Sequence, residues 1–346
     1  MLWGDLTTQT DALEESFQRG CAYLEDGEYE QALMEFSLLI QRDGLFASAY
    51  VGRAIAQLNL ENYTAAVSDC TRALKLDPDL ALALYNRALS YLRLGNIAQA
   101  QADADALVRL APAEADYLAL QARLHAYIGD AEVAILWYTE AIGVQPGGAY
   151  LYAGRAGQFA NLGDYAAACL DYDMAERLGY RSLELYLARA VVHFAQRHYA
   201  AAEKDASRVL AYKPIPSAYQ LRGSARLQLG DAARAISDFD ESLALDPERP
   251  LAYLGRARAH AQLAQHEDAV QDATDALTWL ENEPDVWLVR AYSYMALGDE
   301  EAALSDLTEC LRLEPDHRVA RWYRAQLFAA RGDWTALGSD LAACLT

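Results

Sequence analysis

The stretch ASAYVGRAIAQLNLENYTAAVSDCTRALKLDPDL, residues 47–80, decides the fold because its pattern recurs along the chain. It holds two segments with the helical spacing of apolar residues, separated by a short polar turn and closed by a Lys-Leu-Asp-Pro stop. This 34-residue unit predicts a helix A, a tight turn, a helix B and a loop. A chain built from such units is expected to be all-α.

Ten units continue from residue 13 to the C-terminus, in steps of 34 residues with a single step of 33. Position 8 is always Gly or Ala, and position 20 is Ala in nine units, as expected where two helices cross closely. Position 15 is Gly in seven units and predicts a left-handed helix end, although Glu61, Arg197 and Ala264 stand there in the other three. The units start at Leu13, Ala47, Ala81, Ala115, Ala149, Leu183, Pro216, Pro250, Pro284 and Arg318.

This register, with Pro at position 32 in six units, resembles the tetratricopeptide repeat (TPR) over residues 13–346. The resemblance implies an α-α superhelix, or solenoid, of ten helix-turn-helix repeats in which helices A line a concave groove. We therefore expect a single TPR solenoid over residues 13–346, preceded by an N-terminal tail over residues 1–12. Asp11 is expected to cap the first helix.

The composition narrows the classes of function. A net charge of −21, with 26 Arg and 3 Lys, predicts no nucleic-acid partner, because an acidic surface repels phosphate backbones. The absence of a signal peptide and of a run of 18 apolar residues predicts a cytoplasmic protein without membrane insertion. Five scattered cysteines predict small core residues and neither a disulfide framework nor a zinc site. No catalytic motif occurs, so we predict no enzyme, no cofactor and no metal.

Two positions carry complementary charges. Position 7 is Arg in nine repeats, and position 23 on helix B is acidic in the same nine. The fourth repeat has Gln121 and Trp137 instead, so both charges are lost together. This joint loss predicts an ion pair within each repeat that joins helix A to helix B, because Arg suits a carboxylate through its planar fork. A ligand-binding row of arginines is the alternative.

The groove face of helices A is the candidate site. Positions 2, 5, 9 and 12 share one side of a helix with 3.6 residues per turn, and this side is unusually apolar. Such a stripe is typical of a binding surface, although neighbouring helices A could also cover it. The seventh repeat is polar there, with Ser217, Gln220, Ser224 and Gln228. The predicted peptide-binding residues are Val51, Ile55, Leu58, Tyr85, Leu89, Leu92, Arg93, Arg123, Tyr127, Leu187, Val191, Phe194, Leu254, Arg258 and Tyr292.

These features favour a protein-protein interaction scaffold that holds an apolar peptide segment or an amphipathic helix of another protein in its groove. The alternative is a self-assembling structural protein, a homo-oligomer joined through the groove or through the last repeat. In that repeat Leu337, Leu341 and Leu345 recur at helical spacing on a face that no further helix is expected to cap.

Overall fold

The computed structural model describes residues 2–344, with side chains described for residues 13–338 and for Asp340. Within residues 2–344 it contains twenty α-helices and no strand, which confirms the all-α solenoid of helix-turn-helix repeats. Helices A are α1 (Leu2–Glu25), α3 (Ala47–Asn59), α5 (Ala81–Arg93), α7 (Ala115–Tyr127), α9 (Ala149–Asn161), α11 (Leu183–Ala195), α13 (Pro216–Gln228), α15 (Pro250–Gln262), α17 (Pro284–Leu297) and α19 (Arg318–Arg331). Helices B are α2 (Tyr29–Arg42), α4 (Tyr63–Leu76), α6 (Ile97–Leu110), α8 (Ala131–Val144), α10 (Tyr165–Arg177), α12 (Tyr199–Leu210), α14 (Ala232–Leu245), α16 (His266–Leu277), α18 (Glu300–Leu313) and α20 (Trp334–Cys344).

The first helix is longer than the repeat requires. The structure continues α1 back to Leu2, where the sequence predicted a tail, so Asp11 lies inside the helix and is not its N-cap. Residues 5–12 contain neither glycine nor proline, and extending an existing helix costs far less than nucleating one.

The chain folds into two compact units, Met1–Tyr180 and Arg181–Thr346. In the first unit each helix packs on the next, and helices A also touch each other, as in α1 on α3 and α3 on α5. In the second unit the same holds for α11 on α13, α13 on α15 and α15 on α17. That residues 13–346 act as one domain stays a prediction.

The predicted ion pair forms within the repeats. In the third repeat, for example, Arg87 Nε and Nη2 donate to the two carboxylate oxygens of Asp103 at 2.8 and 2.7 Å. Each such Arg lies on helix A and its carboxylate, 16 residues later, on helix B of the same repeat. The structure pairs Arg19–Glu35, Arg53–Asp69, Arg87–Asp103, Arg155–Asp171, Arg189–Asp205, Arg222–Asp238, Arg256–Asp272, Arg290–Asp306 and Arg324–Asp340.

The same guanidinium also reaches the preceding repeat, which the pattern of charges did not predict. Nη1 donates to position 25 of the preceding helix B, as in Arg87 to Thr71 Oγ1 at 3.3 Å. In the part of the chain described in detail, this third bond is made to Ser37, Thr71, Thr139, Ser207, Asp240 and Thr274. One side chain therefore ties together three helices.

The fourth repeat keeps half of this arrangement. Gln121 replaces the arginine and donates from Nε2 to Asp105 Oδ1, at position 25 of the preceding repeat, at 2.8 Å. Trp137 replaces the carboxylate and packs against the apolar cluster around Ala122 and Tyr138. Because charge and countercharge are both absent, no unpaired ion is buried at these two positions.

Left-handed residues end helices A. Seven glycines at position 15 have φ between 70° and 85°, as the sequence predicted. Glu61, Arg197 and Ala264 occupy the same conformation, with φ of 61°, 61° and 59°. A Cβ atom is strained there, because it approaches the following carbonyl oxygen.

Successive repeats also pack through two facing positions, at which a large side chain in one repeat is matched by a small residue in the other. At three junctions a large aromatic ring at position 24 of one repeat faces glycine at position 6 of the next, 16 residues later: Phe36 faces Gly52, Tyr138 faces Gly154 and Phe239 faces Gly255. A Cβ atom on Gly255 would lie 2.4 Å from Cζ of Phe239, and one on Gly52 would lie equally close to Phe36. Where the first residue is small the second is large, as with Ala104 and Leu120, which share one core cluster.

We expect the ion pair to be strongly coupled. Arg87→Ala leaves the carboxylate of Asp103, only 5% exposed, without its guanidinium, and should lower the free energy of unfolding by about 3 kcal/mol. The double variant Arg87→Ala/Asp103→Ala removes both charges. Its free energy of unfolding, measured by urea denaturation, should fall less than that of the single variant. Arg109→Ala, at the exposed end of α6, is the control; equal losses in the single and double variants would exclude the coupling.

The left-handed turn offers a stabilising change. Ala264→Gly relieves a strained φ and should raise the free energy of unfolding by about 0.5–1 kcal/mol, since the relief of about 1–2 kcal/mol exceeds the entropy cost of glycine. The same substitution inside a helix, Ala102→Gly in α6, should lower it by about 1 kcal/mol. Thermal denaturation measures both changes. A lower melting temperature for Ala264→Gly would contradict the hypothesis that the backbone of Ala264 is strained.

The size exchange between repeats is open to a double-mutant cycle. Gly255→Leu alone clashes with Phe239, and Phe239→Ala alone leaves a cavity, so each should destabilise the protein. Together they reproduce the Ala–Leu combination of residues 104 and 120, and should cost about 1–3 kcal/mol less than the sum of the single changes. Additive losses would show that the two positions do not depend on each other.

Candidate functional site

The fifteen predicted contact residues all lie on helices A, but they differ in depth. Val51, Leu92 and Leu254 are buried, with exposed fractions of 2%, 8% and 5%. Val51 and Leu92 belong to the apolar clusters between repeats, so a partner does not reach them without moving their neighbours. The helical period predicts which side of a helix a residue faces, whereas depth depends on the size of the flanking side chains.

In the first unit the predicted residues form a partly covered surface. Tyr85 and Leu89 pack against the cluster around Leu120, and the ring centroids of Tyr85 and Tyr117 lie 6.3 Å apart. Burial raises the pKa of Tyr85, and the guanidinium of Arg123 opposes that rise. Arg93 and Tyr127 are exposed, whereas Ile55, Leu58 and Arg123 are half-buried.

Two polar side chains of this surface, Tyr150 and Asp116, form a hydrogen bond with each other. The Tyr150 hydroxyl donates a short hydrogen bond to Asp116 Oδ1, which joins position 2 of the fifth repeat to position 2 of the fourth. Burial, together with this carboxylate, raises the pKa of Tyr150. Neither group is therefore free for a ligand without exchanging its partner.

A cavity of the second unit surrounds the polar helix α13. It has a volume of about 420 Å³, and we refer to it as the α13 pocket. Five predicted residues line it together with the four polar residues of the seventh repeat. Its lining is Leu187, Val191, Phe194, Ser217, Gln220, Leu221, Ser224, Leu227, Gln228, Arg249, Leu251, Leu254, Gly255 and Arg258.

The walls of the α13 pocket are chemically distinct. Helices α11 and α15 supply apolar side chains, of which Val191 and Leu251 are 52% and 54% exposed at the rim. Between them, α13 presents the hydroxyl and amide groups of its polar residues. Gln220 is oriented by Arg249, whose Nε donates to Gln220 Oε1 at 3.1 Å. The pocket can therefore enclose an apolar side chain and also bond to peptide groups.

A second cavity adjoins the first across α15. It has a volume of about 260 Å³, and we refer to it as the α17 pocket. The predicted residues Arg258 and Tyr292 line it, and Arg258 is common to both cavities. The other lining residues are Ala261, Gln262, Leu288, Val289, Val319 and Tyr323. Tyr292 is held by ring contacts with His266 and Tyr323, at centroid distances of 5.8 Å each.

Some lining residues were not predicted from the sequence. Leu251 and Val319 stand at position 2 of their repeats, on the side of helix A that the helical period already selected, so the same reasoning could have found them. Arg249 precedes its helix, and Leu221 and Tyr323 stand at position 6, so no helical-face argument identifies them.

The sequence matches models of a known repeat family over most of its length. Models of the tetratricopeptide repeat match residues 17–81, 85–150, 187–240 and 221–284, and a further model of the repeat matches residues 284–317. The chain belongs to the tetratricopeptide repeat family. The TPR family is one of protein-interaction scaffolds that are in general not enzymes, and it points to other proteins as partners.

Solved TPR structures have a similar fold. A chain from the crystal structure of the APC/C hetero-tetramer Cut9–Hcn1 is 15% identical, with a TM-score of 0.56 over 91% of this chain and 76% of that one. A TPR protein from Parabacteroides merdae is 19% identical, with a TM-score of 0.53 over 72% of this chain and 99% of that one. At these identities the likeness shows the fold alone. No curated protein matches the sequence.

Other kinds of site find little support in the TPR array. Among the described residues, no three His, Cys, Asp or Glu side chains come together as a metal site requires. No helix between residues 2 and 344 combines the length and apolarity needed to cross a membrane. Cys70 and Cys310 are buried, and burial raises the pKa of each thiol to about 12, as expected of core residues. The side chains of Leu341, Cys344 and Leu345, in the last repeat, lie outside the described residues.

Proposed function

We propose that this TPR protein is an interaction scaffold that binds an apolar peptide segment or amphipathic helix of another protein against its helices A. The observation that carries the proposal is the α13 pocket, which lies between three helices A and is lined by five of the predicted contact residues. Its volume of about 420 Å³ falls within the range of about 300–1,000 Å³ usual for ligand pockets.

The chemistry of the rim supports a protein ligand. Val191 and Leu251 keep about half of their surface in water, and covering them on binding is favourable by about 25 cal/mol per Å² of apolar area. Phe194 is held by an edge contact with Tyr199, at a centroid distance of 5.3 Å, so this wall is ordered before a ligand arrives. An ordered apolar wall lowers the entropy cost of binding.

Those predicted contact residues of the first unit that are accessible to a partner remain part of the proposal. The accessible ones are Ile55, Leu58, Tyr85, Leu89, Arg93, Arg123 and Tyr127, with Val51 beneath them. We propose that they contact a further part of the same partner protein, because Tyr127 is an aromatic side chain with 58% of its surface exposed.

A matched pair of variants tests the proposal. Val191→Glu/Leu251→Glu places two carboxylates at the rim of the α13 pocket and should reduce crosslinked partner recovery from the native cell by at least about tenfold, because burying unpaired charge is costly. Leu136→Glu/Leu170→Glu changes two side chains, 67% and 69% exposed on helices B, and should leave recovery unchanged.

The same variants distinguish the alternatives. Recovery by both double variants at the level of the unmodified protein would exclude the pocket as the binding site. Light scattering over a concentration series measures self-association. An oligomer that dissociates only in Val191→Glu/Leu251→Glu would show that the occupant is a second copy of this chain, which is the self-assembling alternative.

A further inference from the structure

The two pockets of the second unit meet at a single charged side chain. Arg258 on α15 lines both the α13 pocket and the α17 pocket. The α13 pocket lies on the side of α15 that faces α13, and the α17 pocket on the side that faces α17. A ligand that fills both must therefore pass Arg258.

The linings of the two pockets contain no carboxylate. Their charged residues are Arg249 and Arg258, although the whole chain has a net charge of −21. Each arginine is paired with an aspartate outside the linings, Arg249 with Asp246 and Arg258 with Asp285, so the charged groups that face the pockets are guanidiniums. A guanidinium at the junction of two apolar pockets selects for a carboxylate, with which it forms charge-assisted hydrogen bonds.

Arg258 is engaged by a group that can be replaced. Its Nη2 donates to Asp285 Oδ2, and the side chains of this pair are 38% and 46% exposed. An ion pair so hydrated contributes little stability, so exchanging Asp285 for a ligand carboxylate costs little. A second ion pair of Arg258 within the described residues is not seen.

Asp285 keeps a hydrogen-bond donor nearby when Arg258 turns to a ligand. His317 Nε2 lies 4.0 Å from Asp285 Oδ1. His317 Nδ1 accepts the backbone N–H of Ala320 at 3.2 Å, so the proton of the neutral ring is on Nε2 and faces the carboxylate. At 4.0 Å this donor is beyond hydrogen-bond distance, so a small movement of either side chain is needed for His317 to replace Arg258 as the partner of Asp285.

We propose that the occupant is an extended segment of a partner protein in which one acidic side chain stands between two apolar ones. The acidic side chain binds Arg258, and the apolar ones enter the α13 and α17 pockets. This inference rests on the proposed function and specifies its ligand. The carboxylate belongs to an internal residue and not to a chain end, because the segment continues into a pocket on each side of it.

The separation of the pockets sets the spacing of the apolar residues. The pockets lie on opposite sides of α15, at its contacts with α13 and with α17, so their separation is set by the roughly 8–10 Å between packed helices. An extended chain covers this distance in about three residues at roughly 3.3 Å each. The apolar residues of the segment should therefore be at least about three positions apart.

Selection from a library of random dodecapeptides displayed on phage, with the full chain as the target, tests this proposal. Enriched peptides are synthesised with amidated C-termini, and their affinity is measured by fluorescence polarisation. We expect an internal Asp or Glu between two apolar residues with the spacing given above. Replacing that residue by Asn or Gln should weaken binding by about 10–100-fold, the effect of one charged hydrogen bond of about 1.5–3 kcal/mol.

A charge reversal provides the control on the protein side. Arg258→Glu should weaken the affinity for the acidic peptides at least tenfold, which corresponds to about 1.4 kcal/mol or more of binding free energy. Selection on this variant should instead enrich peptides with Lys or Arg in place of the acidic residue. Arg234→Glu makes the same change of charge on α14, where the side chain is 66% exposed, and should select the same peptides as the unmodified protein.

The outcomes separate this inference from the proposed function. Apolar peptides that lose binding in Val191→Glu/Leu251→Glu but not in Arg258→Glu would overturn the acidic preference and leave the proposed function standing. Peptides that bind only through a free terminal carboxylate would overturn the internal position of the acid. A selection without any binder to the two pockets would count against both proposals.

Discussion

The bond between an arginine of helix A and a carboxylate of helix B is the interaction on which the repeats depend. Through Nε and Nη2 it sets the two helices of one repeat against each other, and through Nη1 it reaches the helix B before them. A buried charge without its partner is costly, so neither member can be lost alone. The fourth repeat illustrates this rule, since Gln121 and Trp137 replace both members and Gln121 keeps the bond to the preceding repeat.

This bond also determines which side of helices A is taken up by contacts within the repeat. The arginine, the carboxylate and the small residues of the helix crossing occupy the side of helix A that faces helix B. The opposite side carries no structural ion pair of this kind among the described residues of the second unit, apart from Arg258 with Asp285. Its side chains are therefore set by contacts between neighbouring helices A and by whatever binds there.

The repeat register, the left-handed turns, the ion pair within repeats and the helix boundaries other than the start of α1 were predictable from the sequence, because each depends on residues at fixed spacing. The third bond of the arginine was missed, since Ser, Thr and Asp at position 25 have no shared charge. For the candidate site, the sequence predicted which side of helix A each residue faces, but not how deeply its side chain is buried. Val51 and Val191 stand at equivalent sides of their helices, yet the first is 2% exposed and the second 52%. The sequence showed that the seventh repeat is polar, but not that its helix α13 forms one wall of the α13 pocket.

The exchange of sizes between positions 24 and 6 makes the order of the repeats matter. A repeat removed from this array loses the residue that its terminal positions pack against. The ring of Phe239, for example, would be without Gly255, and Gly52 would be without the ring of Phe36. Recombination that joins two unlike modules would set ring against leucine or leave two small residues facing a void. Gene duplication can lengthen such an array, but shuffling its members is penalised, so their succession is constrained by packing.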